Sequence, residues 1–507
     1  MAPATTHHPI LSAARAAAVL VVLLVGAQAA GAQSFGAFTD SPEIPSTPAA
    51  AHLEELLAAV NSGDPARIDS FVRERFATSF LAKMPAEAHT GALLAVYDGS
   101  QGLEFHGVRR YAEATPDTHV VAVCRSRLTD GWIGVVIDVE PTPPHRITSL
   151  GFPPARPPSD LPPAPSLSQA EMVKELDAYI DKLAGAEAFS GTVLLAKDGE
   201  VIYRKAAGLA SRAFNVPNDM ETKFNLGSMN KMFTAVAIAQ LAERGQLRYD
   251  DSIGTYLGTD WLPETITSRV QIRHLLTHSS GLGSYFNETF DCSSRALFRT
   301  VDDYKPLVAG ETLAFEPGSD WQYSNTGFLL LGAIVEKVSG LSYFEYVKRH
   351  IFEPAGMAST DSYEMDIDTP NLAIGYSRER GPAGTVWRNN LYAHVVKGGP
   401  AGGGFSTAED LLRFALAMRS GRLVRPETLD LLWSPKPELH SPGYGYGFMV
   451  SQGPDGCAVG HGGGFAGISS ELDIHLDSGY TIVVLSNMDR AAQNVTGKVK
   501  EMIGRLA

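Results

Sequence analysis

Residues 153–168 read PPARPPSDLPPAPSLS, and seven of the sixteen are proline. Such a run cannot pass through a helix interior or a central strand, because each proline lacks an N–H and fixes φ. It makes an extended, semi-rigid connector. The 507-residue chain is therefore expected to fold as two modules, over 45–152 and 169–507, joined by this stretch. With 44% apolar and 19% charged residues, both have the composition of globular protein.

Ahead of the first module, residues 1–32 have the pattern of a secretory signal peptide. Arg15 precedes an apolar run, Ala16–Val25, and Ala30-Gly31-Ala32 supplies the small residues of a cleavage site. Cleavage is expected after Ala32, giving a secreted or periplasmic protein. The run is short for a membrane span, and no later segment is long and apolar enough to be one. No cysteine follows it, which argues against a lipoprotein. The formal charge of −14 argues against nucleic acid or an anionic membrane surface as a main partner. Three cysteines, Cys124, Cys292 and Cys457, are too few for a disulfide scaffold. Either Cys292 and Cys457 pair, or all three are buried thiols.

The first module begins helical over 47–90. AAAHLEELLAAVNSG is amphipathic, and DPARIDSFVRERFATSFLAK opens with proline at the first helical position. The period then changes to that of strands in LEFHGVRRYAEA, THVVAVCRSRL, GWIGVVIDVEP and HRITSLGF. Helices followed by an antiparallel sheet make an α+β module. The second module opens with a helix after Ser168 and a hairpin turning at Asp198-Gly199. Strand patterns return only near the end, in GCAVGHGG, GISSELDIHL and YTIVVLSNM, before a last helix. One antiparallel sheet built from both ends of the module and flanked by helices is expected, with an all-helical part between.

Chemistry concentrates at three places. Ser228 and Lys231 stand three residues apart at the head of MFTAVAIAQL, where only Thr234 and Gln240 are polar. About one Ser-x-x-Lys match is expected by chance, so the setting carries the weight. Residues i and i+3 share a helix face. A lysine at the start of a buried helix loses solvation and meets the positive end of the dipole, and both lower its pKa. A neutral amine beside a serine makes an activated nucleophile. The competing reading is a lysine snorkelling to solvent from a helix end. Next, Tyr323-Ser324-Asn325 precedes another apolar helix, and a phenol and an amide there suit proton relay and carbonyl binding. A second Tyr-x-Asn, Tyr285 to Asn287, lies in a polar, irregular stretch with no helix behind it and is set aside. Last, His461-Gly462-Gly463-Gly464 lies at a strand, where glycines admit close backbone approach and free N–H groups to an oxyanion. His89-Thr90-Gly91 is set aside as belonging to the first module.

Ser-x-x-Lys, Tyr-x-Asn and His-x-Gly in this order resemble the penicillin-recognising serine hydrolases. From about Gln169 onward the chain is similar to the class C β-lactamase superfamily, which includes DD-peptidases, D-aminopeptidases and family VIII esterases. LLTHSSGLGSY, FEPGSDWQYSN, AGGGFSTAEDLLRF and GYGYGF support the likeness. The element order of the first module resembles cystatin-like or NTF2-like domains. The resemblance implies a β-lactamase/transpeptidase-like fold and an acyl-enzyme on Ser228. Lys231 and Tyr323 would share acid–base work, and Asn325 would hold substrate and Lys231. The N–H groups of Ser228 and Gly464 would form the oxyanion hole, and Gly462 and Gly463 would bind substrate. It implies no cofactor and no metal, and an ester, peptide or β-lactam as substrate, with cell-wall association open. His461 departs from the lysine of the β-lactamases proper. A neutral histidine cannot supply a permanent charge for a substrate carboxylate. The expected activity is hydrolysis of a small ester or a D-amino-acid amide. A true β-lactamase or DD-carboxypeptidase is the alternative, and a non-catalytic binder of cell-wall fragments is the alternative of another class.

Other chemistries fit poorly. His274 and His278 lie at i and i+4 but without the glutamate of a zinc motif, and read as a structural turn. No G-x-S-x-G occurs. Substrate choice is assigned to residues 283–312, an irregular lid.

Overall fold

The computed structural model describes residues 38–112, 115–381, 384–453 and 456–506. Residues 1–32, where a signal peptide is expected, lie outside them. Two compact units emerge: residues up to 165 together with 379–386, and residues 166–378 with 387–507.

The first unit is a five-stranded antiparallel sheet, β1 (Phe38–Ser41), β2 (Leu103–Tyr111), β3 (His119–Ser126), β4 (Trp132–Val139) and β5 (Ile147–Gly151), in that spatial order. Between β1 and β2 come four helices, α1 (Leu53–Ser62), α2 (Pro65–Arg75), α3 (Thr78–Lys83) and α4 (Ala86–Ser100). Asp64 caps α2 by accepting from Ala66 N, and Pro65 takes the first helical position, where its missing N–H costs nothing. The sheet has one strand more than the sequence announced. β1 is four residues long and is fastened by Asp40, whose carboxylate takes a bidentate pair from Arg109 at 2.9 and 3.0 Å, both side chains buried. His89 packs against Phe76 and Phe80 and is a core residue.

The proline-rich stretch is extended but not free over its first half. Gly134 N donates to Pro153 O at 2.8 Å, Ala155 N to Trp132 O at 2.9 Å, and Ser159 N to Asp40 Oδ2 at 3.1 Å. These bonds lay residues 153–159 along the first sheet, and the division between units falls after Pro165.

The second unit begins with α5 (Gln169–Gly185), closed at its start by a Ser168–Glu171 capping box. Its sheet has six antiparallel strands. β6 (Gly191–Lys197) and β7 (Glu200–Ala207) come from the start of the unit. β8 (Met449–Gly453), β9 (Gly456–Phe465), β10 (Ile468–His475) and β11 (Tyr480–Ser486) come from its end, in the order β8-β9-β10-β11-β6-β7. Asp198 and Gly199 turn the first hairpin with φ of 51° and 91°, as a tight two-residue turn requires. Every residue of β11 is buried, so both faces at the sheet centre are covered. The closing helix (Ala491–Ile503) packs on β10, β11 and α5, and the helix Ala408–Arg419 packs on β11 and β6.

Between the two groups of strands lies the helical part. Its central helix, α6 (Asn230–Glu243), is buried continuously from Asn230 to Leu241, as an all-round apolar sequence demands. It packs against α7 (Asn325–Ser339), which Ser324 caps and Gly340, at φ +72°, ends. Among the described residues no single helix is long and apolar enough to cross a membrane. The three cysteines are free thiols. Only Cys124 is buried, Cys292 is exposed, and the Cys292–Cys457 pair is not formed.

Candidate active site

Ser228 sits in a single 3₁₀ turn, Gly227–Met229, that runs directly into α6. Lys231 is one turn on and has no exposed surface. Its Nζ lies 3.2 Å from Ser228 Oγ, 2.8 Å from Asn325 Oδ1 and 2.6 Å from Ala401 O. Burial holds the ammonium well below its ordinary pKa. A neutral amine has two N–H groups and one lone pair. Asn325 Oδ1 and Ala401 O accept the two N–H bonds, so the lone pair faces the Ser228 hydroxyl. This arrangement turns a lysine into a base for that hydroxyl.

Tyr323 closes the other side. Its phenol interacts electrostatically with Ser228, its ring centroid is 4.8 Å from Lys231 Nζ, and burial pushes its pKa up. The two shifts are opposite in sign, so Tyr323 keeps its proton at pH values where Lys231 gives its own up, and such a pair can offer Ser228 an acceptor on one side and a proton donor on the other. Asn325, the first residue of α7, spans the gap by accepting from Lys231 and donating to Ser284 Oγ at 3.1 Å.

The glycine strand forms the third wall. β8 pairs with β9 only as far as Gly460, so His461–Phe465 present an edge with no strand beside it. Leu226 and Gly227 lie at backbone contact against one face of this strand, where Ser470 Oγ donates to Leu226 O at 2.7 Å. A Cβ on Gly463 would stand 1.9 Å from Leu226 O, and one on Gly227, at φ +51°, would stand 2.8 Å from Gly464 N. Gly464 lies opposite Ser469, one pair in from the Phe465–Ile468 pair that closes the two-residue hairpin turn. Alternation in an antiparallel ladder then turns Gly464 N–H away from β10 and toward the serine turn.

His461 is buried and neutral, its pKa lowered to about 3 mainly by burial. Nδ1–H donates to Gly462 O at 2.5 Å, and Nε2 accepts from Tyr444 Oη at 2.9 Å. It is thus locked in one tautomer and carries no charge.

The structure brings Ser228, Lys231, Tyr323, Asn325, His461 and Gly462–Gly464 into one cleft. Three further participants went unread. Residues 399–404 wrap the serine turn: Ala401 O binds Lys231, Gly403 N donates to Gly227 O at 3.1 Å, and Gly404 N donates to Asn230 Oδ1 at 3.2 Å. Tyr444 fixes His461. His278, at φ +63° and fully buried, lays its ring 4.3 Å from that of Tyr323 and accepts Ser324 N–H at Nδ1, 3.0 Å. Their only signals were the glycine run and the familiar stretches HSSGL and GYGYGF, which carry no role by themselves. His278 and His274 share no ligand geometry, since His274 Nδ1 accepts Gln271 N–H at its own helix end.

The set-aside Tyr285 also needs correction. A short helix, Glu288–Cys292, does follow it, capped by Asn287, and Tyr285 is buried close enough to Tyr323 to help raise its own pKa. Tyr323 is nevertheless the tyrosine that lies against Ser228 and Lys231.

The family model for Beta-lactamase matches residues 176–500. This chain belongs to the beta-lactamase family. It is 32% identical over 329 residues to penicillin-binding protein 4* of Bacillus subtilis, covering 62% of this chain and 72% of that one. It is 31% identical over 340 residues to esterase EstB of Burkholderia gladioli, covering 59% and 84%. A solved penicillin-binding protein from Bacillus halodurans superimposes with a TM-score of 0.58 at 31% identity, over 66% of this chain and 98% of that one. The beta-lactamase family likeness thus falls on the second unit, and the protein is a serine hydrolase with the α+β fold of that superfamily.

Proposed function

We propose that this serine hydrolase cleaves a small, uncharged ester through an acyl-enzyme on Ser228, in a secreted or periplasmic setting. Ser228 Oγ attacks the carbonyl carbon as its proton passes to Lys231 Nζ. The carbonyl oxygen takes the charge between the N–H groups of Ser228 and Gly464. The C–O bond to the alcohol then breaks, and the alcohol leaves with a proton relayed through Tyr323. Water adds to the acyl-enzyme by the same route in reverse, releasing the acid and the free serine.

The observation that carries the ester reading is His461. It stands where a cation would meet a substrate carboxylate, and it is buried, neutral and fully hydrogen-bonded. A substrate without that carboxylate loses nothing in this cleft. The esterase among the relatives supports the reading, and the penicillin-binding proteins among them keep a D-amino-acid amide or peptide as the second. The test is a nitrophenyl-ester series beside nitrocefin and D-amino-acid amides, with fluorophosphonate labelling. Esters should be turned over and Ser228 labelled, and Ser228→Ala should abolish both. Ester turnover surviving in Ser228→Ala would sink the mechanism, and faster turnover of nitrocefin or amides would replace the substrate.

A further inference from the structure

The lid is not irregular. Residues 283–312 are gathered by a cluster of rings: Tyr285 against Tyr304 at 5.0 Å, Phe290 against Phe298 at 5.4 Å, and Phe298 against Tyr304 at 4.8 Å. All four rings are buried. Phe286 alone projects from this cluster, 44% exposed, with Phe290 behind it at 4.9 Å. It stacks on Phe465, the residue after Gly464, at 5.7 Å and 26° between planes. Phe465 is itself 36% exposed, backed by His394 at 6.1 Å. Two large rings from separate segments, each supported from behind, therefore meet at the surface beside the reacting centre.

Their position along the cleft decides which end of the substrate they face. β9 runs from His461 to Phe465, about 13 Å at 3.3 Å per residue. The proton-transfer groups gather at the His461 end, where Tyr444 bonds His461 and its ring lies 4.7 Å from that of His278, which in turn packs on Tyr323. The leaving group must receive its proton there. With the carbonyl oxygen at Gly464 N–H, the acyl group extends the other way, toward Phe465. Arg295, whose guanidinium lies 3.9 Å over Phe290, turns its N–H groups to the carbonyls of Phe290, Ser293 and Ala393 and faces Asp291 at 3.9 Å, so its charge is balanced within its own segment.

We propose that Phe286 and Phe465 form the acyl-group site of this enzyme and select an uncharged aromatic acyl group such as phenylacetyl over a short aliphatic one. The proposal rests on the ester-hydrolase reading and names its substrate class. Ring contacts of this kind contribute about 0.5–1.5 kcal/mol, so losing one ring should cost several-fold in the preference for the aromatic acyl group.

The experiment compares nitrophenyl acetate with nitrophenyl phenylacetate, which share a leaving group, in the full-length protein, Phe286→Ala and Phe465→Ala. The ratio of kcat/KM for phenylacetate over acetate should exceed one in the parent and fall about 3- to 10-fold in each variant, the ratio cancelling any loss common to both esters. A parent ratio of one or less, or a ratio kept in both variants, overturns the proposal. Binding of phenylacetamide, followed by ligand-observed NMR, makes the same comparison without turnover. If no ester is cleaved but phenylacetamide binds and each ring deletion weakens it, the aromatic site stands and the hydrolase reading falls. If binding is absent, or equal in all three proteins, the site itself is refuted.

Discussion

At the scale of the residue, the chemistry turns on one amine. Lys231 has no carboxylate beside it, and burial, the main force on its proton, favours the neutral form. Tyr323, also buried, is pushed the opposite way and keeps its proton. Catalysis by this pair should therefore rise with pH as Lys231 loses its proton, in a range well below the 10.5 of a free lysine. A kcat/KM profile should show one ascending limb there. Lys231→Arg, which stays protonated, should lower kcat/KM by about 10²- to 10⁴-fold and remove the limb. A limb that persists in Lys231→Arg would assign it to another group. His461 cannot be that group, because at about 3 its transition lies far below.

At the scale of the element, the site is held by backbone-to-backbone contacts between segments distant in sequence. The serine turn is clamped between β9 and residues 399–404, and glycine is required where the chains touch. Gly463→Ala would place a methyl group 1.9 Å from Leu226 O, which is backbone and cannot swing away. The serine turn or the strand must shift. The expected result is a loss of about 1–3 kcal/mol in stability, read by thermal unfolding, together with ester turnover reduced beyond what the unfolded fraction explains. Normal turnover in a stably folded Gly463→Ala protein would show that the contact does not set the geometry.

At the scale of the molecule, buried imidazoles make the fold sensitive to acid, His89 and His274 among them as well as three in the second unit's interior. His278, His394 and His461 are held below the ordinary histidine range, mainly by burial, with His394 at about 4 and His461 at about 3. The native state keeps them neutral while the unfolded chain protonates them near 6.5. Below that pH the unfolded state binds more protons, so stability falls as pH falls, until each folded pKa is reached. The slope approaches about 1.4 kcal/mol per pH unit for each histidine. Denaturant midpoints should therefore drop steeply between pH 6.5 and 4.5, and His394→Gln should flatten the drop. An unchanged midpoint across that range would mean that the imidazoles are already charged in the folded protein.

The sequence by itself determined the local elements and the candidate reacting groups. Capping residues, Asp198-Gly199 and the period changes placed helices, hairpin and strands, because these signals act within a few residues. Ser228 and Lys231 were legible because one helical turn joins them, and Tyr323, Asn325 and the His461 glycine strand because each heads its own motif. What the sequence left open was long-range. β1 is too short to announce itself and is fixed by an ion pair across 69 residues. Ala401 works through a carbonyl, which no side chain reveals. His278 and Tyr444 read as packing until the fold lays them against Tyr323 and His461. The lid looked irregular because its order comes from rings meeting in space rather than from any period along the chain. Motifs specify which groups react, but burial and close approach, which exist only after folding, decide their protonation and what they face.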